Sequence, residues 1–164
     1  MIDHRAYIRR ETLISMAINS ALTLLFFVLL FGGMDRVPLW GIGNWAFDFI
    51  PQSLMIALMG TLVPALFTGR AVKAGRIAAN GPPSRLPANP FVRAALVAFA
   101  TAVVVAVIVA GLTWFAASPG TATIANIPYA AALTIKLVYA ALLAAWVTPA
   151  SLRATLAMPP QRGH

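Results

Sequence analysis

Four stretches of the chain carry few polar side chains: Thr12–Phe31, Phe49–Phe67, Ala94–Phe115 and Tyr129–Val147. Each runs for about 19–22 residues, enough for a helix to cross a hydrocarbon core of about 30 Å. None shows the wide polar face of a helix that packs on a soluble core. Lipid offers backbone groups no partners, so a spanning segment must satisfy them internally. These runs are too long and too uniformly apolar for barrel strands. The pattern predicts an all-α integral membrane protein, a four-helix transmembrane bundle forming a single domain over residues 1–164. The first run follows a basic start, as a signal peptide does. It exceeds a typical h-region and ends in Leu30-Phe31-Gly32-Gly33 without a small-residue cleavage motif, so it reads as a retained span.

Composition narrows the picture further. The chain is 60% hydrophobic and 10% charged, with a mean hydropathy of +0.84, whereas a soluble domain carries about 25% charged residues. A water-soluble globule and a disordered chain are both excluded. With no Cys there is no disulfide framework, thiolate metal site or thiol nucleophile. The net charge of +8 does not point to nucleic acid, because the basic residues punctuate apolar runs rather than cluster on one solvated face. Their spacing is topogenic. Arg5, Arg9, Arg10, Arg70, Lys73, Arg76, Arg85, Arg93, Arg153 and Arg162 fall on one side of the predicted bundle, and only Arg36 on the other. The positive-inside rule then puts both termini and the basic, Pro-rich loop 69–92 in the cytoplasm. The excess of Arg over Lys and the abundance of Ala suggest a bacterial source, hence an inner membrane.

The segment edges carry matching signals. Asn89-Pro90 and Asn126-Ile127-Pro128 read as an Asn N-cap ahead of a first-turn Pro. Asp48 precedes the second span, and Pro119-Gly120 stops the third. Thr68–Asn80 is expected to continue the second helix beyond the membrane, followed by an extended connector at Pro82–Pro87. Trp40, Trp45, Phe49, Trp114, Phe115 and Tyr129 are expected to form one interfacial belt. Tyr7, Phe67, Phe91 and Trp146 form the other.

Few residues could carry chemistry. Glu11, Ser15, Asn19 and Thr23 recur at i+4 and form one stripe on the first helix. Such a stripe faces another helix as hydrogen-bonding glue or lines a hydrated path with Glu11 as a cation site. Beside Arg9 and Arg10, Glu11 is expected in an interfacial ion pair. Lys136 lies about 12 Å inside its span, where an ammonium must pair, snorkel or contact a substrate. Asp48 is the preferred partner, because it is the acid nearest that level on a helix. Arg93, at the start of the third span, is expected to snorkel to headgroups. Ala94, Ala98, Ala102, Ala106 and Ala110 form a small-residue ladder for close helix packing, and Pro64 is expected to kink the second helix. The sequence contains no carboxylate pair, intramembrane His pair, phosphate loop or Ser-His-Asp set. It therefore predicts no enzyme, no metal and no cofactor.

The stretch from Ile18-Asn19-Ser20 through Ala65, with the basic residues that follow, resembles the DUF2798 family of small bacterial membrane proteins. The shared features are a polar-dotted first helix, a short outer loop with an aromatic residue, and a second helix ending in Pro before basic residues. The resemblance implies a membrane hairpin and assigns no activity. The second half repeats part of this plan, with Val63-Pro64-Ala65 matched by Thr148-Pro149-Ala150, so a duplicated helical hairpin is a further reading. Two functions remain. The chain is a non-catalytic membrane subunit or scaffold, partnered by the lipid bilayer and by a homo-oligomer or larger membrane complex. Alternatively it is a small oligomeric permease or channel that uses Lys136 and Asn19.

Overall fold

The computed structural model describes residues 4–79, 81–118 and 124–157. Four helices carry the fold: α1 (His4–Phe31), α2 (Phe49–Lys73), α3 (Pro90–Ala116) and α4 (Tyr129–Leu156). Two short strands, β1 (Arg36–Pro38) and β2 (Asn126–Pro128), lie between them. Every helix is long and apolar enough to cross a membrane. At the ribbon end, where the strands lie, the helices begin or stop at the edges of the apolar runs. At the opposite, basic end each helix continues past its apolar run, because helix tolerates the polar and basic residues there.

Helix α2 stops sooner than its sequence suggests. Gly75 takes φ +70°, its N–H donates to the Val72 carbonyl, and the Arg76 N–H donates to the Ala71 carbonyl at 2.9 Å. This is a Schellman cap, with glycine in the left-handed conformation that side chains disfavour. The expected extension to Asn80, a position outside the described residues, is thereby cut short. The Asn89 side chain caps α3 by accepting from the Phe91 and Val92 N–H groups, with Pro90 in the first turn. Asn126 does not cap α4. It belongs to β2, and the Tyr129 N–H donates instead to the Asp35 carbonyl at 3.1 Å. The expected stop at Pro119-Gly120 lies outside the described residues.

The all-helical expectation missed the small ribbon. β1 and β2 pair antiparallel, with Arg36 opposite Pro128, Val37 opposite Ile127 and Pro38 opposite Asn126. Proline lacks a ladder donor and is tolerated because both strands are edges. Val37 is fully buried and joins Phe27, Phe31 and Ala132 in an apolar plug beneath the ribbon. The strands thus tie the α1–α2 connection to the α3–α4 connection.

Consecutive helices do not form the two expected hairpins. The extensive interfaces are α2 on α3, α1 on α4 and α2 on α4, while α1 barely meets α2 and α3 barely meets α4. The helices therefore form a staggered row, α1–α4–α2–α3, rather than a closed square. Residues 32–48 give the chain enough length to carry α2 past α4. Exchanging the halves, α1 for α3 and α2 for α4, leaves this scheme of interfaces unchanged. The ribbon likewise matches Val37-Pro38 to Ile127-Pro128 about its centre. The middle of the row holds Ile56, Ala57, Ala98, Ala140, Leu143, Ala144 and Val147. Of the alanine ladder, Ala94 and Ala98 are buried, and burial fades to exposure by Ala110. Pro64 sits within a continuous α2.

The aromatic belts divide into two groups. Trp114, Phe115, Phe67, Phe91 and Trp146 are exposed, as an interfacial role requires. Trp45, Phe49, Tyr7 and Tyr129 turn inward instead. The Trp45 indole donates to the Ala132 carbonyl and its ring meets Phe49 edge-on, while Tyr129 packs against Phe27. Each finds a polar or aromatic partner inside that the sequence pattern does not reveal.

Candidate functional site

Polar side chains from α1, α2 and α4 meet along one seam between these helices. From α1 come Ser15, Asn19 and Thr23, all buried and one turn apart. From α2 come Gln52, Ser53, Gly60, Thr61 and Thr68, with Asp48 at its N-cap. From α4 come Lys136, Thr148 and Ser151. Helical periodicity places each set on one face, and burial in an apolar setting favours a hydrogen bond for each group, although Gln52 Oε1 and Thr61 Oγ1 find none among the described residues.

At the ribbon end, Lys136 Nζ lies 2.9 Å from Asp48 Oδ2. Lys136 is 1% exposed and Asp48 24%, so the pair is sealed on the ammonium side and reaches solvent through the carboxylate. Nζ also sits 3.7 Å from the Phe49 ring centroid and 5.7 Å from that of Trp45. These faces attract a cation and exclude water from it. The pair explains why a lysine lies within an apolar helix: its charge is met by a partly exposed carboxylate and two rings. The snorkelling alternative for Lys136 is overturned, because the side chain turns inward.

One level further in, the Gln52 amide donates to Thr23 Oγ1 at 3.1 Å and to the Lys136 carbonyl at 3.5 Å. The Ser53 hydroxyl bonds the Phe49 carbonyl and the Tyr139 hydroxyl. At the centre, Asn19 donates to the Ser15 carbonyl at 2.8 Å and to Ser15 Oγ at 3.3 Å. Thr148 Oγ1 bridges Ser15 Oγ at 2.8 Å and the Gly60 carbonyl at 3.0 Å. Gly60 makes this junction possible. A Cβ there would stand 3.0 Å from Val147 Cγ2 and 3.4 Å from Thr148 Oγ1. Towards the basic end, Ser151 donates to the Thr61 carbonyl at 2.7 Å, and the Tyr7 hydroxyl bonds Thr68 Oγ1 at 2.9 Å.

Arg93 departs from its expected position. It is fully buried, donating to the Pro87 carbonyl at 3.2 Å and to Thr155 Oγ1 at 2.7 Å. The guanidinium turns inward because the end of α4 and the 74–89 connection close over the start of α3. That connection is also held by His4 Nε2 near the Ala78 carbonyl and by the Gly81 N–H on the Leu156 carbonyl. Glu11, half-buried at the end of its stripe, makes no ion pair among the described residues. Residues one or two apart on a helix point in different directions, so Arg9 and Arg10 do not face it.

The sequence-nominated residues therefore separate. Lys136 and Asp48 form one contact, Asn19 belongs to a different level, and Glu11 stands apart. Sequence reasoning missed Gln52, Gly60, Thr148 and Ser151. Thr148, Ser151 and Thr155 recur at helical spacing on α4, which was the available signal. Among the described residues, no group of three His, Asp or Glu could hold a metal ion. Comparison with family models, curated proteins and solved structures finds no match. The likeness of the first half to DUF2798 rests on the sequence pattern alone.

Proposed function

We propose that the chain is a multi-pass bacterial inner-membrane protein with cytoplasmic termini, acting as a non-catalytic membrane subunit or scaffold. One observation carries this reading: the polar seam spends its hydrogen bonds inside the chain. Thr148, Ser15, Asn19, Ser151 and Lys136 each bond a neighbour on the same or a facing helix. A seam of this kind fixes helix register, and each interhelical bond contributes about 0.6 kcal/mol. The ten basic residues at one end against Arg36 at the other support the orientation. Cytoplasmic reporters fused after residue 157 should be active, and a reporter active only on the outer side would overturn the orientation.

A small oligomeric permease is the second reading, favoured by a specific feature. Gln52 Oε1 and Thr61 Oγ1 are buried without a hydrogen-bond partner among the described residues, and both lie beside the seam. Proteoliposome flux of protons, sodium and potassium separates the two readings. The scaffold reading expects rates equal to those of empty vesicles. A protein-dependent flux abolished by Lys136→Met would replace it with the permease.

A further inference from the structure

At the basic end a groove of about 470 Å³ opens between α1 and α4. Helix α1 lines it with Arg5, Arg9 and Thr12, and α4 lines it with Pro149 and Arg153. Leu13 adds an apolar wall. The Thr12 hydroxyl donates to the Ile8 carbonyl, so the donors that face the groove are guanidiniums. Arg9 and Arg153 are exposed, and neither bonds an acid among the described residues. Of the chain's four acids, Asp35 and Asp48 lie at the ribbon end, Glu11 does not line the groove, and Asp3 lies outside the described residues. Arg9 and Arg153 bring like charges from two helices to one groove, and these repel one another unless an anion sits between them.

The groove lies where the apolar run of α1 gives way to its basic start. Below it, Leu142 and Trp146 are 65% and 69% exposed, and they share a face of α4 with Pro149 and Arg153. An anionic head at the arginines and an apolar chain along this strip describe one molecule. We propose that the groove binds the phosphodiester headgroup of an anionic phospholipid, with its acyl chains along Leu142, Trp146 and Leu13. This requires the membrane placement of the helices and is independent of whether the protein is a scaffold or a permease.

The test uses the full chain in phosphatidylcholine vesicles that contain phosphatidylglycerol with brominated acyl chains. Quenching of Trp146, taken as the difference from Trp146→Phe, reports lipid at the strip. Phosphatidylglycerol should be preferred over phosphatidylcholine. Arg9→Gln and Arg153→Gln should each weaken that preference about fivefold, the effect of one basic residue beside an anionic surface. Both side chains are exposed, so the variants should keep their helicity. Arg70→Gln and Lys73→Gln, at the same end but outside the groove, should leave the preference unchanged. Equal losses at all four positions would mean diffuse surface charge and overturn the proposal. So would the absence of any preference in the unsubstituted chain. Inorganic phosphate that displaces the lipid at millimolar concentration would assign the groove to a free anion and overturn it as well.

Discussion

Asp48→Asn is expected to destabilise the protein by about 3–5 kcal/mol, the cost of stranding a buried charge. The loss should exceed that of Lys136→Met, and burial explains the asymmetry. Lys136 is 1% exposed and would keep only the Phe49 and Trp45 rings as partners, whereas Asp48, at 24% exposed, can turn towards solvent. The double variant should recover most of the loss, because it removes both charges and leaves an apolar side chain in an apolar setting. Thermal unfolding in detergent of the two single variants and the double variant closes the cycle. Strict additivity would show that the contact contributes nothing to stability.

Arg93→Ala should cost about 3 kcal/mol, with the damage concentrated at the basic end. The guanidinium supplies two hydrogen bonds from a charged donor, each of which contributes about 1.5–3 kcal/mol. Part of that is offset because the charge is buried without a carboxylate partner. Arg93→Lys should recover little, since one ammonium on a flexible stem cannot span Pro87 and Thr155 as the planar fork does. Hydrogen exchange should quicken across residues 81–89 in both variants while the ribbon end stays protected. Uniform loosening of the whole molecule would contradict an anchoring role.

The helices were legible in the sequence because long, uniformly apolar runs leave one solution for the backbone. About twenty apolar residues can satisfy their backbone only as helix, so Phe31, Phe49 and Tyr129 mark helix ends in both the sequence and the fold. The Lys136–Asp48 contact was also within reach, because charges are scarce and depth limits the choice of partner. Neighbour relations were not legible. Nothing in the apolar pattern of α1 distinguishes α2 from α4 as its partner, and depth alone does not say whether Arg93 faces lipid or a closing loop. The ribbon escaped because Arg36-Val37-Pro38 and Asn126-Ile127-Pro128 are three residues each, too short for alternation to register. Gly60 reads as an ordinary helix-weakening glycine until Thr148 is seen to approach its carbonyl.

The staggered row also sets an order on biosynthesis. Ser15 reaches its partner hydroxyl on Thr148 across 133 residues of chain, so α1 leaves the ribosome long before the helix that completes it. During that interval Ser15 lacks that partner, and the contact of α1 with the helices already made is thin, with Thr23 meeting Gln52 and Tyr7 meeting Thr68 on α2. The last helix made is therefore the keystone: α4 enters between α1 and α2, and a nascent chain that stops short of it leaves the first helix without its main interface.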